Sequence, residues 1–430
     1  MNNPKVIRAW CMYDWANSVY SLVITSAIFP VYYQAVTTSS GSDVVSFFGF
    51  DVVNSVLYSY SLSFSFLILA PLLPLLSGTA DYLGNKKLFM KVFVYTGGLA
   101  CMGLFFFDSS NLEWGIICSI LASVGYAGSL VFYDAFLPEI ASPENYDRTS
   151  AKGYSMGYYG SVILLILNLV IIQFWEPLQF PSEGTAVRFA FLLVGLWWIG
   201  FAQITFYGLP EKPNNAKASG KILLNGYREL RKVWNSLSYY PNLKKYLVAY
   251  FFFNMGVQTV MYMAATFGSK ELKLDDTKLI LTVLIIQLVA SVGAMLFARI
   301  SGVKGNKFTL MLMIGMWIVI CYGAYLTVSE TEFFILAFFV GIVMGGIQSL
   351  SRATYSKLIP SDTVDHASYF SFFDVTFNLS LVGGTFSYGL VEQLTGSMRN
   401  STIALMTFFI IGMLILSRVR ITNAEKSSIA

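Results

Sequence analysis

The sequence predicts an all-α polytopic membrane protein of twelve transmembrane helices, folded as two six-helix bundles. Three observations predict it: a deficit of charge, twelve apolar runs of spanning length, and a motif that returns at half the chain length. Of the 430 residues, 56% are hydrophobic and only 12% are charged, against about 25% charged in an ordinary soluble chain. About 20 apolar residues carry a helix across about 30 Å of hydrocarbon. Strands of a membrane barrel would be shorter and would alternate apolar with polar.

The first run, 9–35, holds Asp14, Tyr20 and Thr25, and has no short apolar core with a small-residue cleavage site, so it is expected to stay as a helix. The second and third, 56–77 and 88–107, flank Gly78-Thr79-Ala80-Asp81-Tyr82-Leu83-Gly84-Asn85-Lys86-Lys87. This segment reads as a tight connecting loop, with glycines for the turn and lysines held at an anionic membrane surface. The fourth run, 114–137, ends at Tyr133-Asp134-Ala135-Phe136-Leu137-Pro138. The fifth, 153–175, puts Gly153, Gly157 and Gly160 on one face, suited to close helix packing. The sixth, 189–209, completes the first bundle, which we place at 1–209.

A polar linker, 210–245, follows and opens with Pro210-Glu211-Lys212-Pro213-Asn214-Asn215. Beyond it Leu223, Tyr227, Leu230, Trp234 and Leu237 recur at spacings of four and three, with Lys221, Arg228, Arg231 and Lys232 largely off that stripe. That pattern is a basic amphipathic helix on a membrane surface, a tether or a partner-binding element. The second bundle, 246–430, has runs at 246–267, 279–298, 308–328, 333–354, 367–391 and 403–419. Between the eighth and ninth, Gly305-Asn306-Lys307 repeats Gly84-Asn85-Lys86 at an offset of 221. The tenth ends Tyr355-Ser356-Lys357-Leu358-Ile359-Pro360, offset by 222 from the end of the fourth, and proline stops the helix in both. A shared offset points to duplication of a six-helix unit.

Of the 28 Lys and Arg, all but Arg188, Lys270, Lys273, Lys278 and Arg399 fall on the side of the termini. That side is therefore expected to be cytoplasmic, in a multi-pass protein of the cell inner membrane. The net charge of +4 is then a topology signal and calls for no nucleic-acid partner. Cys11, Cys101, Cys118 and Cys321 all lie in the runs, with no disulfide or metal-site spacing. There is no phosphate-binding loop, metal-binding His pair or nucleophile elbow. The expectations are no enzyme, no cofactor, no metal, a monomer in the bilayer, and energy drawn from gradients.

A charge at mid-membrane costs roughly 2.5–3.5 kcal/mol on insertion scales, so each one needs a reason. Asp14 and Asp374 are candidate proton-coupling carboxylates; Asp14 lies among Tyr13, Trp15 and Asn17, which can desolvate it. Its competing reading is a permanent ion pair with Arg148, Lys152 or Arg352. Asp134 and Arg352 form either a gate or a structural ion pair. Asp81 can meet a helix N-terminus across the bundle interface, and with Gly78, Gly84, Lys86 and Lys87 makes a gating motif. Gly341 and Gly345 read as packing positions. Tyr20, Thr25, Tyr126, Asn254, Gln258 and Tyr262 are candidate ligands for a solute; three of them repeat along one face of the seventh helix. His366 is assigned no role.

The segment Gly78 to Lys87 resembles the signature loop between the second and third helices of the major facilitator superfamily. Trp10-Cys11-Met12-Tyr13-Asp14-Trp15-Ala16-Asn17-Ser18, followed by Phe29-Pro30-Val31-Tyr32-Tyr33, is similar to the first helix of the vacuole-effluxer (autophagy-related) family and its bacterial relatives. Gly345-Gly346-Ile347-Gln348-Ser349-Leu350-Ser351-Arg352, through Leu358-Ile359-Pro360, is similar to its tenth helix, and Leu137-Pro138-Glu139 with Ser150, Gly153 and Gly157-Tyr158 to its fourth-to-fifth connection. Asn378 stands where members often carry a lysine. The resemblance implies the major facilitator fold, helices one and seven on a central cavity, and, from the fungal members, amino-acid efflux. The expectation is a secondary active transporter for a small polar solute, an amino acid or similar zwitterion, working by alternating access and coupled to protons. The alternatives are a membrane receptor or scaffold that does not transport, or a sugar, peptidoglycan-fragment or drug permease of the same fold.

Overall fold

The computed structural model describes residues 1–38, 44–210 and 222–421. Its spanning helices are α1 (Pro4–Thr37), α2 (Asn54–Leu83), α3 (Lys86–Gly103), α4 (Leu112–Asp134), α5 (Tyr146–Gln173), α6 (Glu183–Gly208), α7 (Pro241–Leu272), α8 (Asp276–Lys304), α9 (Asn306–Leu326), α10 (Glu330–Leu358), α11 (His366–Thr395) and α12 (Met398–Ser417). Eleven of them are long and apolar enough to cross a membrane. The exception is α11, which has 30 residues but carries Asp374, Thr376, Asn378, Ser380, Thr385 and Ser387. Length and context reveal this helix; apolarity alone does not.

Three local features depart from the sequence reading. The first helix is not continuous: a π-helical stretch, Tyr20–Ala27, separates Pro4–Val19 from Phe29–Thr37. Pro30 has no N–H to give to the preceding turn, and the Ile28 N–H reaches back five residues to Val23 O at 2.9 Å. The segment Gly78–Leu83 is not loop but the last turns of α2. Gly84 ends that helix at φ 65°, a left-handed cap that glycine adopts without strain, and Asn85 caps α3 through Leu88 N–H. The connection is only two residues long, so Asp81 is fixed on a helix. Between α1 and α2 a hairpin, β1 (Val44–Phe47) and β2 (Phe50–Val53), had no signal that we read.

In the first bundle α1 packs on α5 and α6, and α3 on α4 and α6; in the second α8 packs on α10, and α12 on α7 and α9. Glycines make the closest approaches. A Cβ on Gly345 would lie 1.9 Å from Ala290 O of α8, and one on Gly153 would lie 2.3 Å from Asp14 Oδ2 of α1. The expected glycine faces therefore pack inside each bundle. Between bundles α5 meets α8 and α10, while α2 meets α11.

The linker helix spans Ile222–Ser236 and packs on α2 and α11. Val233 and Leu237 are buried, Lys232 pairs with Asp365 at 3.0 Å, and Ser236 shares a 2.8 Å hydrogen bond with the Tyr369 hydroxyl. Of the stripe read from sequence, Tyr227 and Trp234 are exposed. The buried seam is rotated because it meets protein. Residues 211–221 and the side chain of Leu223 lie outside the described part.

Candidate transport cavity and its closed face

Both helix pairs joined by glycine turns, α2–α3 and α8–α9, turn on the face that carries the N-terminus, here the terminal face. Starting there, a series of contacts ties one bundle to the other. Asp81 on α2 accepts hydrogen bonds from the N-terminus of α11: Ala367 N–H at 3.2 Å, Ser368 N–H at 2.7 Å and the Ser368 hydroxyl at 2.7 Å. A carboxylate here meets free N–H groups and the positive end of the helix dipole. At the separate contact of α5 with α8 and α10, Asp147 accepts from Lys357 at 2.8 Å, Asn306 at 2.8 Å and Ser301 at 2.6 Å, all in the second bundle.

Deeper in, Arg352 of α10 enters the first bundle. Its Nη1 donates to Asp134 at 2.9 Å, its Nη2 to Asp14 and to Ser150 O, each at 3.2 Å, and its Nε to Ser150 Oγ at 2.9 Å. Tyr133 donates its hydroxyl to Asp14 at 2.7 Å. Trp10, Tyr133 and Tyr154 cover the guanidinium with ring centroids 4.7, 5.4 and 4.3 Å away. Arg352 is 2% exposed. Asp134 and Arg352 form an ion pair that crosses the bundle boundary. Of the partners considered for Asp14, Arg352 is the one that binds it. Toward mid-depth, Ser155 donates to Ser291 O at 2.8 Å, and Tyr158 to Gln348 Oε1 at 2.8 Å.

Lys86 and Lys87 correct an expectation. Both are buried: Lys86 pairs with Glu139, and Lys87 donates to Phe206 O at 2.8 Å and Leu209 O at 2.7 Å at the end of α6. They tie the turn to its own bundle and do not reach for lipid. A cation at the C-terminal carbonyls of α6 satisfies groups that the helix cannot bond itself. Gly78 is buried one turn before Asp81.

Past the Tyr158–Gln348 contact the bundles part around a cavity of about 470 Å³. Its wall includes all six candidate ligands, Tyr20, Thr25, Tyr126, Asn254, Gln258 and Tyr262, together with Asp14, Asp134, Arg352 and Asp374. The residues Thr25, Ser26, Ser63 and Thr385 carry the wall on toward the opposite face. Tyr20 meets Ser123 at 2.8 Å and lies against Tyr126 in a tilted ring contact, centroids 4.9 Å apart. Across the cavity Gln258 donates to Asn254 Oδ1 at 3.1 Å, and Asn254 to Ser380 at 2.6 Å. Asp374 accepts from Asn378 at 2.9 Å. Asn378 thus stands beside the carboxylate as a donor, one helical turn on.

Sequence reasoning missed Asp147, Ser150, Lys357 and Tyr133. The one signal for the first group was the repeat itself, since Asn306 answers Asn85 and sits beside the Asp147–Lys357 pair. Among the described residues no group of His, Cys, Asp and Glu could hold a metal ion.

A model of the family described as vacuole effluxer Atg22 like matches residues 2–428. The MFS-type transporter YxiO of Bacillus subtilis (strain 168) is 30% identical over 417 residues, covering 96% of this chain and 95% of that one. Autophagy-related protein 22-2 of Neosartorya fischeri is 25% identical over 483 residues, covering 90% of this chain and 77% of its own. Among solved structures, the proton:xylose symporter XylE bound to 6-bromo-6-deoxy-D-glucose matches with a TM-score of 0.74 at 12% identity, covering 97% of this chain and 95% of that one. A variant of the E. coli fucose:proton symporter FucP matches at 0.68 and 12% identity, covering 97% and 98%. These two carry the fold: an all-α major facilitator fold in a multi-pass membrane protein. YxiO is described as a transporter of this superfamily, and XylE and FucP as symporters. The chain belongs to the vacuole effluxer Atg22-like family of major facilitator transporters.

Proposed function

We propose that this transporter moves a small polar solute, of about the size of an amino acid, by proton-coupled alternating access across a bacterial inner membrane. The lysine and arginine distribution supports a cytoplasmic terminal face. On that reading the cavity faces outward, and the bonded layers from Asp81 to Tyr158 are the closed inner side. The observation that carries the proposal is this polarity: cross-bundle hydrogen bonds on one side of mid-depth, a solute-sized cavity on the other. Rocking the bundles would break the first set and bring the opposite ends together, which is the motion that alternating access requires.

Coupling belongs to a carboxylate whose charge changes with the cycle. Asp14 is held by Arg352 and Tyr133, so its role is to close the inner side. Asp374 lines the cavity with a neutral partner, Asn378, and is the better site for a proton. Neutralising it would lower the cost of bringing that wall into a dry interface. Gly84 and Gly78 serve the same closure by letting α2 present Asp81.

The test is flux in proteoliposomes, using a panel of amino acids, amines and sugars with an imposed pH difference. Accumulation of a panel solute that collapses with an uncoupler supports the proposal. Saturable binding with no flux under any gradient makes the protein a receptor or scaffold instead.

A further inference from the structure

We infer that the cavity selects an organic cation, an amine-bearing solute held at Asp374, and discriminates against solutes with a free carboxylate. The inference rests on the transport reading above and narrows its substrate. It starts from the charges on the wall. Among the described lining residues there are three aspartates, Asp14, Asp134 and Asp374, and one cation, Arg352. Binding the carboxylate of an amino acid in a desolvated site needs a cation or several free N–H donors. Arg352 cannot supply them: both carboxylates and Ser150 already occupy it, and three aromatic rings cover it. A second anion would also meet the remaining acidic excess.

The uncommitted polar atoms point the same way. Asp374 keeps a carboxylate whose hydrogen-bond partner is Asn378, and the charged group acting on it is another acid, Asp134. Because the Asn378 amide nitrogen donates to Asp374, its oxygen remains an acceptor on the same helix face. Gln258 likewise spends its amide nitrogen on Asn254, and its oxygen is left as an acceptor on the facing helix. At Asp374 the wall thus offers two acceptors one turn apart, the carboxylate and the Asn378 oxygen, with the Gln258 oxygen further along the cavity. A primary ammonium presents three donors and one positive charge. The chemistry that fits is an amine whose carboxylate is absent or masked as an amide.

Purified protein in detergent micelles, titrated by calorimetry with tyramine, tyrosinamide and leucinamide and with tyrosine and leucine, tests this. The expected result is saturable binding of at least one amine, at least tenfold tighter than its parent amino acid. Asp374→Asn should weaken that binding at least tenfold while Asp374→Glu keeps most of it, with both variants monodisperse and melting near the wild type. Parent amino acids binding as tightly as the amides, amine affinity unchanged in Asp374→Asn, or no binding of any of the three amines would each overturn the inference. Failure of the transport reading looks different: amines would bind as expected here yet show no flux in proteoliposomes.

Discussion

Replacing Arg352 by Gln should open the terminal face. Arg352 holds two carboxylates of the opposite bundle at 2.9 and 3.2 Å, and Asp14 is only 5% exposed. Removing one partner from a buried ion pair costs about 3–5 kcal/mol, because the orphaned charge stays out of water. That cost falls on the closed conformer alone, since parting the bundles lets water reach both aspartates. At about 1.4 kcal/mol per decade, the closed-to-open ratio should fall by roughly two to four decades. Spin labels on Tyr207→Cys and Arg418→Cys, exposed near the terminal ends of α6 and α12, report the change as a longer distance. The four native cysteines are buried and should not compete for label. Adding Asp14→Asn and Asp134→Asn to Arg352→Gln removes the orphaned charges, and the short distance should return. If Arg352→Gln keeps the wild-type distance distribution and melting temperature, the ion pairs do not hold the inner side shut.

Three further outcomes follow from the same geometry. Asp81→Asn keeps one acceptor for the N-terminus of α11 and loses the charge, at about 0.5–2 kcal/mol; together with Gly78→Val it should reduce proteoliposome flux more than melting temperature. Gly345→Ala would put a methyl 1.9 Å from Ala290 O, forcing α8 and α10 apart; a loss of about 1–3 kcal/mol in detergent unfolding is expected, and an unchanged midpoint would contradict the close packing. Asp374→Asn should abolish the response of flux to an imposed pH difference while exchange persists at solute concentrations raised to match its weaker binding, whereas Asp14→Asn should lower stability and leave that response in place; the reverse pattern would return coupling to Asp14.

Much of this architecture is written in single residues. Gly84 and Gly305 stop helices at positive φ in both halves, and Pro138 and Pro360 stand at matching positions, so these turns and ends were readable without coordinates. The six candidate ligands share a wall because polar residues inside apolar helices have few other places to go. Asp14 and Arg352 are 338 positions apart, and nothing local distinguishes that pair from one with Arg148 or Lys152. Only the docking of α5 on α10 decides it. The lysines after Gly84 misled for a related reason. A basic turn at a membrane surface and a basic turn capping α6 have the same sequence, and the neighbouring carbonyls of Phe206 and Leu209 select the second. The linker seam moved to Val233 because α2 and α11 pack against it, a contact that no local pattern announces.

The most direct test of alternating access is the sidedness of Tyr262→Cys, a cavity position that is 40% exposed, unlike the four buried native cysteines. It is to be labelled by a membrane-impermeant maleimide in vesicles of each orientation. Labelling is expected from the face opposite the termini in the wild-type background, and from the terminal face once Arg352→Gln is added. Simultaneous labelling from both faces in the wild-type background would make the cavity a pore, and an Arg352→Gln background labelled only from the face opposite the termini would mean that the bundles do not rock.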